Sequence, residues 1–320
     1  MGYVLWGHRG SGDHGCEDWV RGVCAQLPEK PDVYSQNPSE DWRYGVGKLC
    51  GIFDSSGTPP QEVCRIETVP SRRREKKGSQ RVLWGWIGGK LTREALGCLR
   101  RYDGVVVTDQ RTRRQLEQAG LGEKVQLRTD PVFLVKWETP CSAIPLPTNT
   151  VGLCLSDPGG EGLYESYSHL IRWLLKETDW YVALIPYCVQ RRRNDLILQT
   201  ALYRQFRDSG RVFLRPDGSS PVLRGDLAMC RSCVGFAGAL AAWGCGVPAL
   251  CLTGNNRTKG LSQDIWGNSF TGVCPWQNLK DPHQLTQRFS DFLQKETENK
   301  IKLEAYCKEI GGSWGEENKI

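Results

Sequence analysis

The run VGFAGALAAWGCGVPAL, residues 234–250, carries the pattern that decides the fold class. It predicts a strand at 233–236, a helix of small residues at 237–243 and a second apolar strand at 249–252. A strand, a helix and a strand in close succession indicate a βαβ unit, whose two strands lie parallel in one sheet. Small side chains let such a helix pack closely on the sheet and leave its amino end open to a phosphate group. A well-packed core element without a ligand would have the same pattern.

The same alternation extends outward from this unit in both directions. In the second half, the predicted strands are 151–155, 181–186 and 212–214, and the predicted helices are 163–176, 194–207 and about 282–308. In the first half, the predicted strands are 3–6, 32–35, 82–86 and 104–107, and the predicted helices are 16–26, 92–101 and 110–119. The stretch ETPCSAIPLPT, residues 138–148, separates the two series, because its prolines continue neither a helix nor a central strand. We therefore predict an α/β protein of two Rossmann-like domains, residues 1–145 and 146–320, that face a ligand cleft.

Composition excludes several classes of protein. The 320 residues are 39% apolar and 24% charged, which is typical of a globular chain. No apolar run approaches the roughly 20 residues that cross a bilayer, and the amino terminus lacks the pattern of a secretory signal. We therefore expect a cytoplasmic protein whose 14 cysteines are mostly reduced, buried thiols. Cys230 and Cys233 have the spacing of a metal or redox pair, but the four histidines offer no second pair of ligands, so no metal site is predicted.

The net charge of +6 comes from one segment of the chain. Residues 65–101 contain 11 lysines or arginines and three glutamates, a local balance of +8, so the remainder carries about −2. The centre of this segment, SRRREKKGS at residues 71–79, has no apolar residue and indicates an exposed loop. It is either a solvated connection or a surface that attracts anionic lipid headgroups or a polyphosphate carrier, which would hold the protein at a membrane surface. The patch lacks interleaved aromatics, so no nucleic-acid partner is predicted.

Two loops have the composition of ligand sites. GHRGSGDHGCED, residues 7–18, follows the first strand and opens the first helix, where glycines let backbone amides approach an anion. Residues 10–15 match the letters of the dinucleotide fingerprint, but no acidic residue ends the second strand, and the loop could also be only a tight connection. NNRTKG, residues 255–260, follows the strand at 249–252 and carries Arg257 and Lys259, which suit a phosphate or carboxylate.

Together these segments resemble the polysaccharide pyruvyl transferase family over roughly residues 3–270. The opening loop follows the family's G-x-x-G-x-G-N-x-G-D-E pattern at Gly7, Gly10, Gly12, Gly15 and Glu17. NPSEDWRYGV at 37–46 is similar to the segment after the family's second strand, VVVTD at 105–109 resembles its V-R-D element, and DPVF at 130–133 resembles its D-P-x-F. Residues 234–252 take the place of its R-L-H strand and the helix that ends in G-V-P. The resemblance implies a fold like glycosyltransferase type B and an enzyme that moves a pyruvyl group from phosphoenolpyruvate to a sugar.

The chain departs from this family at the positions that the resemblance assigns to the donor. Gly235, Phe236 and Ala237 stand where the family has R-L-H, and Thr108 stands where it has the arginine of V-R-D. Losing a fully paired charge costs on the order of 2–5 kcal/mol. Phosphoenolpyruvate therefore needs substitute cations, and the available ones are His8, Arg9, His14 and Arg231.

These observations lead to one main hypothesis and two alternatives. We predict a transferase of polysaccharide biosynthesis at the cell envelope that uses no cofactor, takes phosphoenolpyruvate as donor substrate and modifies a glycan or lipid-linked sugar. Acid–base catalysis is assigned to His8 or His14, with Asp13 or Glu17 orienting the histidine or the acceptor. The predicted donor-binding residues are Gly10, Gly12, Gly15, Arg231, Gly238, Arg257 and Lys259. The alternatives are a glycosyltransferase of the same fold with a nucleotide-sugar donor, and a non-catalytic family member that binds a glycan or a partner.

Overall fold

The computed structural model of the chain contains two sheets, each covered by helices. The structure describes residues 2–6, 12–27, 30, 32–34, 63–69, 81–85, 93–135, 145–159, 162–190, 193–279 and 281–312. His8, Arg9 and Gly10, the similarity at 37–46 and the basic loop at 71–79 lie outside these residues. No helix among the described residues is long and apolar enough to cross a membrane.

The first sheet has six described strands. They are β1 (Gly2–Trp6), β2 (Asp32–Tyr34), β3 (Val63–Val69), β4 (Arg81–Gly85), β5 (Gly104–Val107) and β6 (Val125–Leu127), in the order β2-β1-β3-β4-β5-β6. β3 pairs antiparallel with β1 and β4, and the other pairs are parallel. The sequence patterns missed β3 and β6. Charged residues interrupt the apolar run of β3, and β6 has only three residues, so neither produces a strand-length apolar signal.

Helices α1 (His14–Ala25), α2 (Arg93–Leu99) and α3 (Gln110–Gln118) cover the first sheet. Side chains alternate between the two faces of a strand, and β5 shows this directly. Val106 packs with Trp19, Val20 and Val23 of α1, whereas Val105 and Val107 pack with Leu99 of α2 and Leu116 of α3. Both faces of this sheet are therefore buried, and α1 covers one of them.

The second sheet is entirely parallel. Its strands are β7 (Thr150–Cys154), β8 (Tyr181–Leu184), β11 (Val212–Leu214), β12 (Ser232–Gly235) and β13 (Ala249–Cys251), in the order β11-β8-β7-β12-β13. Strands β9 (Val189–Gln190) and β10 (Arg193–Asn194) form a separate antiparallel pair. Counted along the chain, the sheet has the order 3-2-1-4-5 of a Rossmann fold. Ligands of such sheets bind where the order reverses, at the carboxyl ends of β7 and β12.

The remaining helices pack on both faces of this sheet. They are α4 (Leu163–Glu177), α5 (Asp195–Phe206), α6 (Ser220–Ala228), α7 (Ala237–Gly244), α8 (Asn256–Trp266), α9 (Pro282–Gln294) and α10 (Glu296–Gly312). Leu170 of α4 and Phe289 of α9 belong to the core of one face, and Ala239 and Trp243 of α7 belong to the core of the other. The single helix predicted at 282–308 is two helices. The amide of Lys295 bonds the carbonyl of Phe292 and ends α9, and its own carbonyl accepts from Asn299 in α10.

This arrangement confirms the predicted α/β class with parallel strands. Strand β3 differs from the prediction, because it is antiparallel to both of its neighbours. The last strand of the first sheet ends at residue 127 and the second sheet begins at residue 150. The predicted boundary at residue 145 falls between them, and the division into two domains stays a prediction.

One short turn lies between the two halves. A 3-10 turn, Pro131–Phe133, follows the first sheet and contacts both α1 and α7. A Cβ atom on Gly22 of α1 would lie 2.1 Å from the carbonyl oxygen of Pro131, and one on Gly244 of α7 would lie 2.2 Å from that of Val132. Both distances are far below van der Waals contact, so only glycine allows the two helices to approach the turn this closely.

Candidate functional site

The carboxyl ends of β7 and β12 meet the start of helix α7. The φ angle of Gly235 is +151°, and a Cβ there would lie 2.1 Å from the carbonyl oxygen of Cys154. The amide of Phe236 donates to that same carbonyl at 3.1 Å, and a Cβ on Gly238 would lie 2.5 Å from the Cys154 sulfur. The glycines therefore bring the first turn of α7 directly over the end of β7. The first amides of a helix have no acceptor within it, so this end of α7 carries unpaired donors and partial positive charge.

Helix α1 of the first half begins at the same place. A Cβ on Gly15 would lie 2.9 Å from the Cβ of Ala237, so the first turns of α1 and α7 are in contact. The amide of His14 donates to the carbonyl of Tyr187 at 3.1 Å, and the amide of Val189 donates to the carbonyl of Gly12 at 2.7 Å. The end of the predicted ligand loop therefore lies on the carboxyl edge of the second sheet. Two helix amino ends, one from each half, converge where the strand order reverses.

His14 is buried at this junction and contacts an acidic residue from the other half. Its side chain is 5% exposed, and its Nε2 lies 3.0 Å from Oδ1 of Asp217, whose side chain is 42% exposed. Asp217 follows β11 in the loop that leads to α6. The ring of His14 meets the ring of Tyr187 edge to face, with centroids 5.9 Å apart. The other ring nitrogen, Nδ1, is buried and has no hydrogen-bond partner among the described residues.

The acidic residues predicted beside His14 have other contacts. Asp13 precedes α1 and accepts from the amide of Cys16 at 3.0 Å, so its buried carboxylate caps the helix. Burial, together with the nearby charge of Asp13, raises the pKa of the Cys188 thiol to about 11. Glu17 lies in the first turn of α1 and is partly exposed. The described carboxylate that touches the histidine is Asp217. The sequence search missed it because it lies 203 residues away, although an acidic residue just after a parallel strand is a recognisable signal.

A second buried group, also missed in the sequence, lies directly behind His14. Asp18 of α1 accepts from the hydroxyl of Tyr187 at 2.5 Å, from the hydroxyl of Ser220 and from Nη1 of Arg224 at 3.1 Å. Nη2 of Arg224 donates to the carbonyl of Val132 at 2.8 Å. Burial and then the charge of Asp18 raise the pKa of Tyr187 well above its usual value, so its hydroxyl remains a donor. This network ties α1 to the second half and holds the ring that packs on His14.

Two of the predicted cations in the described part of the chain, Arg257 and Arg231, pair with acids away from this junction. Arg257 is buried and paired with Asp130, with Nε–Oδ2 and Nη2–Oδ1 distances of 2.7 Å each, and its guanidinium lies 4.5 Å from the Trp19 ring. Arg231 pairs with Glu296, and its amide donates to the carbonyl of Thr150 at the start of β7. Arg231 therefore lies at the amino edge of the sheet, opposite the reversal point. Lys259 lies in the first turn of α8, which follows the carboxyl end of β13, and is partly exposed.

The cysteines give no sign of a metal centre in the described part of the chain. Ten cysteines whose side chains the structure describes form no disulfide, and no three histidine, cysteine, aspartate or glutamate side chains come together in that part of the chain as metal ligands. Burial raises the pKa of Cys233 well above its usual value. The sulfur atoms of Cys230 and Cys233 both lie beside Gly152 of β7, where they pack as small apolar groups.

Comparison with protein-family models and with curated proteins finds no match. Solved structures do match. A Listeria monocytogenes protein assigned as a UDP-N-acetylglucosamine 2-epimerase is 11% identical over 66% of this chain and 55% of its own, with a TM-score of 0.47. The pneumococcal O-GlcNAc transferase GtfA, in complex with UDP and GlcNAc, is 11% identical over 69% and 45%, with a TM-score of 0.44. The UDP-GlcNAc 2-epimerase of Methanocaldococcus jannaschii is 10% identical over 62% and 57%, with a TM-score of 0.42.

The chain spans about half the length of these structures. Their similarity to this chain is one of fold, and the glycosyltransferase type B arrangement that the sequence resemblance implies stays a prediction. At these identities and TM-scores the similarity carries no argument about activity, and membership of the pyruvyl transferase family stays a prediction.

Proposed function

We propose that this protein is a glycan-modifying transferase that binds the phosphate groups of its donor at the amino end of α7, beside the start of α1. The observation that carries the proposal is the contact between the first turns of α1 and α7 beside Nδ1 of His14, which is buried and has no hydrogen-bond partner among the described residues. Amino ends of helices attract anions through their free amides and their partial positive charge. The junction also lies at the reversal of strand order, where Rossmann-type sheets bind nucleotides.

A nucleoside-diphosphate sugar suits this junction better than phosphoenolpyruvate. Phosphoenolpyruvate carries a phosphate and a carboxylate, and the pyruvyl-transfer hypothesis requires at least two cations to hold them. Arg257 is paired with Asp130 and Arg231 with Glu296, which leaves Lys259 and His14 among the described candidates, and His14 carries a charge only when it is protonated. A diphosphate can instead be held by backbone amides at helix starts, which require no side-chain cation. We therefore favour the nucleotide-sugar alternative over the pyruvyl-transfer hypothesis.

In the proposed reaction His14 acts as general base. Nδ1 takes the proton of an acceptor hydroxyl, and the hydroxyl oxygen forms a bond to the anomeric carbon of the donor sugar. The bond between that carbon and the diphosphate oxygen breaks, and the nucleoside diphosphate leaves with the electron pair. The amino end of α7 stabilises the negative charge that develops on the leaving group.

Titration calorimetry with UDP, GDP and phosphoenolpyruvate tests the proposal. We expect one of the two nucleotides to bind and phosphoenolpyruvate not to bind. With a nucleotide sugar and its acceptor, His14→Gln is expected to lower kcat about 100-fold, the size of a general-base contribution, and to leave nucleotide affinity little changed, because Nδ1 accepts a proton and does not donate to the diphosphate. His283→Gln, which changes an exposed histidine of α9, is the matched control and should leave kcat and affinity unchanged.

Two outcomes contradict the proposal. Binding of phosphoenolpyruvate alone, with phosphate release when a glycan acceptor is added, would return the function to pyruvyl transfer. Absence of binding by all three compounds in a folded protein would favour the non-catalytic alternative.

A further inference from the structure

We infer that Asp217 is a positioning residue for His14, holding the imidazole in the tautomer that carries its proton on Nε2 and presents Nδ1 as the acceptor. This inference rests on the proposed function, because it assigns the active nitrogen of the proposed base. Both halves of the chain therefore contribute to the site. His14 is the first residue of α1, and Asp217 follows β11 of the second sheet.

The chemistry of the contact determines the tautomer. Nε2 of His14 lies 3.0 Å from Oδ1 of Asp217, which is hydrogen-bond distance. An ionised carboxylate can only accept, so Nε2 must be the donor. A neutral imidazole has one N–H, so its Nδ1 then carries the lone pair. Nδ1 is the nitrogen closer to the main chain of His14, which places it beside the first turn of α1.

The ring of His14 is held on several sides, so this orientation is built into the fold. Its backbone amide bonds the carbonyl of Tyr187, and the Tyr187 ring packs against it at 74°. Tyr187 is in turn held by its hydrogen bond to Asp18. A catalytic group whose neighbours are fixed in this way needs little reorganisation when the ligand arrives.

Other acids near the ring do not compete for this role. Asp13 accepts from the amide of Cys16, and Asp18 is engaged by Tyr187, Ser220 and Arg224. Asp217 is also the more exposed member of its pair, so water can solvate the carboxylate oxygen that His14 does not contact. Among the residues that the structure describes, buried Nδ1 meets no partner, and a ligand group that donates to it would offset the cost of that burial.

A contact that only held the two halves together would not set the tautomer of His14. Measuring that tautomer therefore distinguishes a positioning role from a purely structural one. Nitrogen-15 NMR distinguishes Nδ1–H from Nε2–H in a neutral histidine, and the chain has only four histidines. The spectrum is recorded without donor at about pH 8, where an ordinary histidine is neutral. The signal that disappears in His14→Gln identifies the residue. We expect the Nε2–H form in the unmodified protein.

Substitution of Asp217 provides the second measurement. The amide of Asp217→Asn can donate to Nε2, so we expect this variant to shift His14 to the Nδ1–H form, and Asp217→Glu to restore Nε2–H. Asp217→Ala removes the acceptor without adding a donor and should give a mixture of both forms. With a nucleotide sugar and its acceptor, we expect Asp217→Asn to lower kcat about 100-fold, the size of a general-base contribution, with KM unchanged.

The results that overturn this inference differ from those that overturn the proposed function. A tautomer that is Nδ1–H in the unmodified protein, or that is the same in all Asp217 variants, removes the positioning role even if a nucleotide binds. If Nε2–H is found and responds to Asp217 as expected while no nucleotide binds, the positioning holds and the proposed function fails. A uniform loss of stability in the variants with an unchanged tautomer would mean that Asp217 only joins the two halves.

Discussion

Two buried pairs of charged residues join the two halves of this chain. The guanidinium of Arg257 in α8 reaches Asp130, 127 residues earlier, with two bonds of 2.7 Å. Arg224 of α6 reaches Asp18 of α1 in the same way. Both pairs are buried, and each ties the second half to a residue of the first. The sequence hypothesis placed Arg257 on the donor phosphate. The sequence shows that an arginine is present near this sheet edge, but it does not show that Asp130 already neutralises its charge.

This pairing predicts a large effect of Arg257 on stability. Arg257→Met leaves Asp130 buried without its partner, so we expect the free energy of unfolding to fall by about 3–5 kcal/mol. Urea denaturation measures this. Lys302→Met is the matched control, because it removes an exposed pair with Glu298 and should change stability by at most about 0.5 kcal/mol. A variant of Arg257 that keeps its stability but loses nucleotide affinity would instead support the donor-binding role.

Among the structural elements, the turn Pro131–Phe133 is the packing centre between α1 and α7. The sequence analysis noted residues 130–133 because they resemble the D-P-x-F element of a family. In the structure, these residues pack between α1 and α7. Asp130 accepts from the amide of Val132 and pairs with Arg257, and the glycines of the two helices let their backbones approach the turn. The positions of both helix amino ends at the site therefore depend on close backbone contacts at this turn.

Gly244 tests this dependence. Its substitution by alanine places a Cβ 2.2 Å from the carbonyl oxygen of Val132 and 2.7 Å from Nη2 of Arg224. We expect Gly244→Ala to lower the free energy of unfolding by about 1–3 kcal/mol, the usual effect of overpacking. Gly97→Ala is the control in α2, where a Cβ meets nothing within 4 Å, and it should raise stability by up to about 1 kcal/mol through helix propensity. Equal effects of the two substitutions in chemical denaturation would contradict the close contact.

In the whole molecule, α8 of the second half also packs against α3 of the first. Asp264 of α8 accepts from the amide of Gln110, and Gly260 lies against Asp109, which caps α3. Burial, with the charge of Asp109 as a further cause, raises the pKa of Asp264 to about 6. Two carboxyl groups thus lie at one contact between the halves.

The raised pKa makes stability depend on pH. The folded protein binds the Asp264 proton more tightly than the unfolded chain, whose aspartates titrate near pH 4. Its stabilising contribution is therefore complete below about pH 4 and is lost as the pH rises through about 6. Between about pH 4 and pH 6, we expect the free energy of unfolding of the unmodified protein to fall by about 1 kcal/mol relative to that of Asp264→Asn. This value is reduced because solvent partly screens the carboxyl group.

Denaturation of both proteins at several pH values between 4 and 7 measures this difference. Asp208→Asn, an exposed aspartate after α5, controls for the loss of one negative charge. A difference between the unmodified protein and Asp264→Asn that does not vary with pH would show that the carboxyl group is not perturbed at this contact.

The sequence alone determined the α/β class and most helices, including the helix that follows the glycine-rich segment at 7–13. Those features depend on periodicity, glycines and capping residues within about ten positions of one another. It led to His14 by local composition, and it missed β3 because Arg65 and Glu67 interrupt its apolar pattern.

Only the tertiary structure decided which residues act together. The contact between Gly15 and Ala237, the pair of His14 and Asp217, and the neutralisation of Arg257 by Asp130 all join residues more than 100 positions apart. A net charge of +6 could not show that buried carboxylates neutralise Arg224 and Arg257. Charges act through distance and burial, and the packing of the two halves determines both.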